Sequence, residues 1–300
     1  MLVFLSRHKY SLSLTAAAAA WGVATVISKR AVEEIPPLTL LPIQLAVSVG
    51  ALAILVRAQR QEVGWTPQMR RLGALGVLNP GVSYALSLLG LTYITASLSV
   101  LLWGVEPLMI LALAWWLLND RITKPLAAAS AVALLGVLLV VFESGNYGQL
   151  TGIILTLAGV AVCAVYTVIS RKSIDTESTL AIVMVQQSFA LVFSLALLAA
   201  VTLIDQSAFL PEASTAAWVS AGVSGLLYYT AAFWFYLTGL RRVPASVAGL
   251  FINLIPVFGI AAGRLLLDER LTSRQWIGAF LIVGAVGTIA LSEGFSGRGD

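Results

Sequence analysis

A single cysteine, Cys163, and a single histidine, His8, occur in 300 residues. A disulfide within the chain needs a second cysteine, so none forms. The same scarcity leaves almost no room for metal sites built on Cys or His, or for histidine-based catalysis. Charge is scarce too. Asp, Glu, Lys and Arg make up 11% of the chain, against about 25% in soluble domains. The formal net charge is +4, but no dense basic run with interleaved aromatics appears. Basic residues come as pairs, Lys29-Arg30, Arg70-Arg71, Arg171-Lys172 and Arg241-Arg242, so a nucleic-acid partner is not expected. Motifs of the HExxH, GxSxG and P-loop kinds are also missing, which speaks against an enzyme and against ATP-driven work. No cofactor or metal is implied.

Apolar residues are abundant. They form 59% of the chain, and mean hydropathy is +0.93. No soluble protein of this size buries so much apolar surface. The solvent for most of the chain is lipid.

A membrane span needs about 20 mostly apolar residues. Ten are expected, over 11–28, 38–56, 72–92, 94–118, 125–142, 150–170, 179–204, 216–240, 243–267 and 275–292. The first follows Arg7 and Lys9 and carries the alanine run Ala16–Ala20, as a signal peptide does. Nine further spans argue that it stays. With the N-terminus inside, only Lys29, Arg30, Arg264, Arg270 and Arg274 of the 18 basic residues fall outside. The positive-inside rule then places both termini in the cytoplasm.

The chain repeats itself. Residues 88–145 align without a gap on 237–294, at an offset of 149. Gly90-Leu91 meets Gly239-Leu240, Ala96-Ser97 meets Ala245-Ser246, and Pro107 meets Pro256. Asn119-Asp120-Arg121-Ile122-Thr123 meets Asp268-Glu269-Arg270-Leu271-Thr272. Earlier in each half the offset is 142: Thr25–Arg30 meets Thr167–Lys172, and Gln44 meets Gln186. Each half, 1–145 and 146–300, is expected to hold five spans. Five is odd, so the second half enters the membrane from the opposite side. The expected fold is an all-α polytopic membrane protein, with ten transmembrane helices as two five-helix inverted repeats, an architecture of many secondary transporters.

The five-plus-five spans, the paired loop motifs after spans 4 and 9, and the mid-span Pro107 and Pro256 resemble the EamA branch of the drug/metabolite transporter superfamily. The resemblance covers roughly residues 11–292. It implies a multi-pass protein of the bacterial inner membrane that exports amino acids, other metabolites or drugs. Within that branch the chain looks closest to exporters of aromatic and other amino acids. The partners implied are a small-molecule substrate and the lipid bilayer, with a monomer as the working unit.

Of the 14 acidic residues, only Glu106 stands at a span centre. A charge there costs about 2.5–3.5 kcal/mol on insertion scales. Its repeat partner is Ile255, so the cost is borne in one half alone. Glu106 is expected to face a central cavity, where it binds a substrate ammonium group or carries a coupling proton. The plain alternative is a carboxyl buried between helices. Pro107 and Pro256 interrupt helical hydrogen bonding, and Asn253 lies beside the second break. Pro80, within Asn79-Pro80-Gly81, is a third breaker. Such breaks either expose backbone groups to substrate or only kink the helix. Trp21, Tyr84, Trp103, Tyr166, Tyr228 and Trp234 sit at depths where they line a cavity or simply pack, as does Phe233, the repeat partner of Tyr84. Gln44 and Gln186 are expected either to face each other across the pseudo-twofold axis or to bridge helices. Thr25 and Thr167 are expected to bond back to their own helices. No basic residue lies deep in a span, which argues against phosphorylated substrates. A broad-specificity drug or metabolite efflux carrier is the alternative function.

Overall fold

The computed structural model describes residues 2–61, 63–118, 124–141, 147–170, 179–204, 212–240 and 251–296. Among these the only regular structure is helical. The first half holds α1 (Leu2–Val32), α2 (Pro37–Ala58), α3 (Pro67–Gly76), α4 (Ser83–Tyr93), α5 (Ala96–Trp103), α6 (Glu106–Leu118) and α7 (Lys124–Val141). The second holds α8 (Tyr147–Ser170), α9 (Thr179–Thr202), α10 (Thr215–Gly225), α11 (Ala232–Leu240), α12 (Ile255–Leu266) and α13 (Ser273–Ser296). Among the described residues, five stretches are long and apolar enough to cross a membrane: Tyr10–Val32, Pro37–Ala58, Pro67–Tyr93, Gly148–Ser170 and Leu180–Thr202. Large apolar side chains stand exposed, among them Ile54, Trp116, Leu134, Val192 and Phe280. An exposed apolar surface of this kind suits lipid rather than water.

Several helices start on residues that satisfy their first N–H groups. Thr66, Thr95 and Ser214 accept from Met69 N, Leu98 N and Ala217 N at 3.1–3.2 Å. Each is an N-cap that meets a donor with no partner inside the helix.

Two long segments are interrupted in mid-course. α3 passes to α4 through Val77–Val82, where Asn79 is extended (φ −140, ψ 116) before a cis Asn79-Pro80 bond. Proline lacks the N–H that a helix needs and pushes the preceding residue out of the helical region. α10 passes to α11 through a π-helical stretch, Leu226–Ala231, that contains no proline. Here the stretch is bonded by side chains of α9 and α2. Gln187 Nε2 donates to the Tyr229 carbonyl at 3.0 Å, while Ser48 Oγ bonds Thr230 Oγ1 at 2.8 Å and donates to Gln187 Oε1 at 2.6 Å. Val77–Val82 and Leu226–Ala231 are related by the offset of 149 found in the sequence. So are the turns at Gly104-Val105 and Asn253-Leu254, which part α5 from α6 and precede α12.

Helix pairs also recur. α4 packs on α8 as α11 packs on α1, α3 on α9 as α10 on α2, and α6 on α8 as α12 on α1. α2 lies on α9, and α7 on α13. In lipid no hydrophobic effect drives helices together, so small residues at crossings matter. A methyl at Gly90 would meet the Gly152 carbonyl at 2.7 Å, and one at Gly22 would meet the Ile255 carbonyl at 2.7 Å. The main buried cluster joins Val26, Leu40, Leu41, Leu45, Tyr84, Leu88 and Tyr229. Its member Tyr84 also lines the cavity described next.

Candidate functional site

A cavity of about 370 Å³ opens where the helix interruptions converge. Ligand pockets commonly span about 300–1,000 Å³. Trp21 and Thr25 of α1 line it, one turn apart, and Cys163, Tyr166 and Thr167 share one face of α8. The kink before α4 brings Asn79 and Tyr84 to it. The α5–α6 break brings Trp103, Gly104, Glu106 and Pro107, and the break before α12 brings Ile252, Asn253, Ile255 and Pro256. Tyr228, Phe233 and Tyr236 close the remaining side. Among the described residues that line it there is no Lys, Arg or His.

The cavity is a box of rings with one carboxyl. Tyr84 lies 5.4 Å from Trp103 and 5.1 Å from Tyr228, the latter edge to face. Trp21 lies 5.4 Å from Phe233 and 5.7 Å from Tyr236. Tyr228 OH reaches Thr25 Oγ1 at 3.3 Å. Glu106 Oε1 accepts from the Cys163 thiol at 3.3 Å. Glu106 is also the first residue of α6, where the helix dipole favours negative charge. Thr25 and Thr167 donate to the carbonyls of Trp21 and Cys163 one turn earlier, at 3.1 and 3.0 Å.

The residues singled out in the sequence divide into two groups. Trp21, Tyr84, Trp103, Glu106, Tyr166, Tyr228 and Asn253 line the cavity together with Pro107 and Pro256. Gln44, Gln186, Trp234 and Pro80 do not. Gln44 is fully buried and donates to Ser28 Oγ at 3.0 Å and Ser224 Oγ at 2.7 Å. Gln186 accepts from Tyr166 OH at 2.9 Å. The two glutamines therefore bridge helices separately and do not meet across an axis. Trp234 is 41% exposed and stacks on Phe235. One helical residue corresponds to about 100° of rotation, so Phe233 faces in while Trp234 faces out. Pro80 sits buried behind the lining and acts through Asn79, its neighbour.

Cys163, Thr167 and Asn79 join the lining although the sequence does not mark them for it. The available signals are the pattern Cys163-x-x-Tyr166-Thr167 on one face of a helix and the repeat pairing of Asn79 with Tyr228.

One end of the bundle is drawn together by side chains. Glu269 accepts from Ala96 N and Ser97 N, both at 2.8 Å, and from Ser97 Oγ at 2.6 Å. It thereby ties the chain after α12 to the start of α5. Lys29 Nζ donates to the Leu91 carbonyl at 2.9 Å. Glu34 accepts from Ser214 N and Oγ at 2.7 and 2.9 Å, and these bonds hold its carboxyl below the usual range. Asp268 pairs with Arg264 on the surface. The matching motif Asn119–Thr123 and its partners Ala245-Ser246 lie outside the described residues. Glu269→Ala removes a helix cap as well as a tie, so a loss of about 1–2 kcal/mol is expected. A lower melting temperature in detergent, with Glu269→Gln between the two, checks it; equal melting of all three refutes the tie.

The EamA-like transporter family matches the chain over residues 8–142 and again over 150–291. An uncharacterized transporter of Archaeoglobus fulgidus is 24% identical over 271 residues, which cover 88% of this chain and 92% of that one. The uncharacterized transporter YetK of Bacillus subtilis is 26% identical over 286 residues, 92% of this chain and 84% of its own. A probable amino-acid metabolite efflux pump of Escherichia coli is 26% identical over 275 residues, 88% of each chain. A solved crystal structure superposes with a TM-score of 0.67 at 18% identity, over 95% of this chain and 98% of that one, a likeness of fold. Long apolar helices, exposed apolar side chains and these matches together make it a multi-pass membrane protein. The chain belongs to the EamA-like transporter family.

Proposed function

We propose that the protein is a secondary exporter of amino acids, aromatic ones included, and of related small metabolites. The observation that carries this reading is Glu106. It is a carboxyl in an aromatic cavity whose described lining holds no cation. Such a group calls for a positive partner, and a substrate ammonium supplies it. Rings of Tyr84, Trp103 and Tyr228 offer both apolar surface and cation–π contact to the substrate. The name of the Escherichia coli relative, a probable amino-acid metabolite efflux pump, points the same way.

The architecture of the proposal is ten spans in two inverted halves, 1–145 and 146–300, with both termini cytoplasmic. Two family matches, paired helix interruptions at a constant offset and helix contacts that recur on exchange of the halves support it. Transport then proceeds by alternating access, the halves rocking about the cavity. The end tied by Glu269, Lys29 and Glu34 is the external one in this orientation. Two halves in one chain complete the site, so a monomer suffices, and the setting is the bacterial inner membrane.

An efflux carrier for cationic amphiphiles is the second reading, favoured by the same aromatic box and carboxyl. Counterflow in proteoliposomes separates the two. Vesicles loaded with an amino-acid panel are expected to take up labelled phenylalanine in a saturable way. Uptake of lipophilic cations without any amino acid exchange would replace the proposal with the second reading.

A further inference from the structure

The two helix breaks at the cavity are related by the repeat, yet they carry opposite chemistry. At the first, Gly104 is followed by Glu106, an acceptor that begins α6. At the second, the equivalent positions are Asn253 and Ile255. The side-chain amide Nδ2 of Asn253 is enclosed and has no hydrogen-bond partner among the described residues. α12 begins just beyond it with no acidic residue in its first turn and no side-chain cap at Leu254. The first turn of α12 therefore has neither a side-chain cap nor an acidic residue to meet the positive end of its dipole, and its residues Ile255 and Pro256 line the cavity. A second orphan lies on the same wall as the kink before α4. Asn79 is 8% exposed, lines the cavity and has an Oδ1 without a partner among the described residues.

A buried polar atom without a partner is costly, about 1–3 kcal/mol. The two residues that carry such atoms, one a donor and one an acceptor, line the same cavity as a lone carboxyl. A purely cationic ligand would satisfy Asn79 and Glu106 and leave Asn253 and the start of α12 unmet. A ligand with an ammonium group and a carboxylate satisfies all of them.

We infer that Asn253 and the start of α12 form the carboxylate end of the substrate site, with Glu106 and Asn79 as the ammonium end. The inference rests on the exporter reading and narrows it. The cavity selects zwitterions, and Asn253 is the residue that sets an amino acid apart from the amine of the same side chain. Glu106 and Asn253 stand two positions apart in the repeat, at the equivalent helix break of each half. That arrangement would link substrate binding to the relation between the halves.

The test titrates purified protein with L-phenylalanine and with phenethylamine, which lacks only the carboxylate. Quenching of tryptophan fluorescence reads binding, since Trp21 and Trp103 line the cavity. Asn253→Leu removes the donor and Asn253→Asp places a negative charge in its stead. Asn253→Leu is expected to weaken phenylalanine by about tenfold or more, with phenethylamine unchanged. Asn253→Asp is expected to invert the preference toward the amine. Equal loss of both ligands, or an unchanged ratio in both variants, overturns the subsite while the exporter reading stands. Failure of the wild type to bind phenylalanine or exchange any amino acid overturns both.

Discussion

Glu106→Gln is expected to lower amino-acid exchange at least about 30-fold without unfolding the protein. Truncating one partner of a desolvated charge pair costs about 2–5 kcal/mol, and each 1.4 kcal/mol is tenfold. Glutamine keeps the shape, and its carbonyl still accepts from the Cys163 thiol, which lies 3.3 Å from the carboxyl. What it loses is the charge that the proposed substrate ammonium would meet. The variant also separates the two roles open to this carboxyl. Counterflow exchanges labelled for unlabelled substrate and requires no net proton movement. If Glu106 holds the ammonium, counterflow and gradient-driven accumulation both fall. If it only carries a coupling proton, counterflow survives and accumulation loses its response to pH. Exchange and pH response both equal to wild type would reduce Glu106 to a packing carboxyl.

Much of this site is legible in the sequence because membrane depth is an almost linear function of residue number. A charge at a span centre is expensive, so the sequence alone marks Glu106. Prolines announce themselves in the same way, and the breaks before α6 and α12 lie beside Pro107 and Pro256. What depth does not reveal is the direction in which a side chain points. Trp234 lies at the right level and on the wrong face, while its neighbour Phe233 lines the cavity. The repeat matches Gln44 with Gln186, but nearer partners, Ser28, Ser224 and Tyr166, satisfy them. Counting cysteines excludes Cys163 from a disulfide or a cysteine-based metal site. Its place beside Glu106 depends on how α8 packs. The π-helical stretch at Leu226–Ala231 is the least legible feature. Its own residues contain no breaker, and the bonds that hold it open come from Gln187 and Ser48, distant in sequence. Only the repeat offset, carried over from Val77–Val82, points to its position.

Gly76→Ala is expected to leave little folded protein. A methyl there would lie 2.7 Å from the Cα of Gln186, against backbone that cannot swing aside. Its repeat equivalent, Gly225, meets Gln44 in the same way, at 2.7 Å from the carbonyl oxygen and 2.8 Å from Cα. The crossings α3–α9 and α10–α2 thus rest on backbone contact at two glycines. Overpacking a well-filled soluble core costs about 1–3 kcal/mol. Here the cost should reach the upper end or exceed it, because the crossing itself must widen. Widening the α10–α2 crossing also pulls Gln44 away from Ser224, so buried polar groups lose partners. Gly222 and Gly50 provide the comparison, since a methyl at either meets nothing within 4 Å. Alanine in those helices should be neutral or stabilising by up to about 1 kcal/mol. Melting of detergent-solubilised protein, followed by size-exclusion chromatography, distinguishes the cases. Gly76→Ala and Gly225→Ala should both aggregate or melt early, and Gly222→Ala and Gly50→Ala should match wild type. Damage from only one of the first pair would mean that the two crossings are not mechanically equivalent. A rocking mechanism about a pseudo-twofold axis would then lose one of its two bearings.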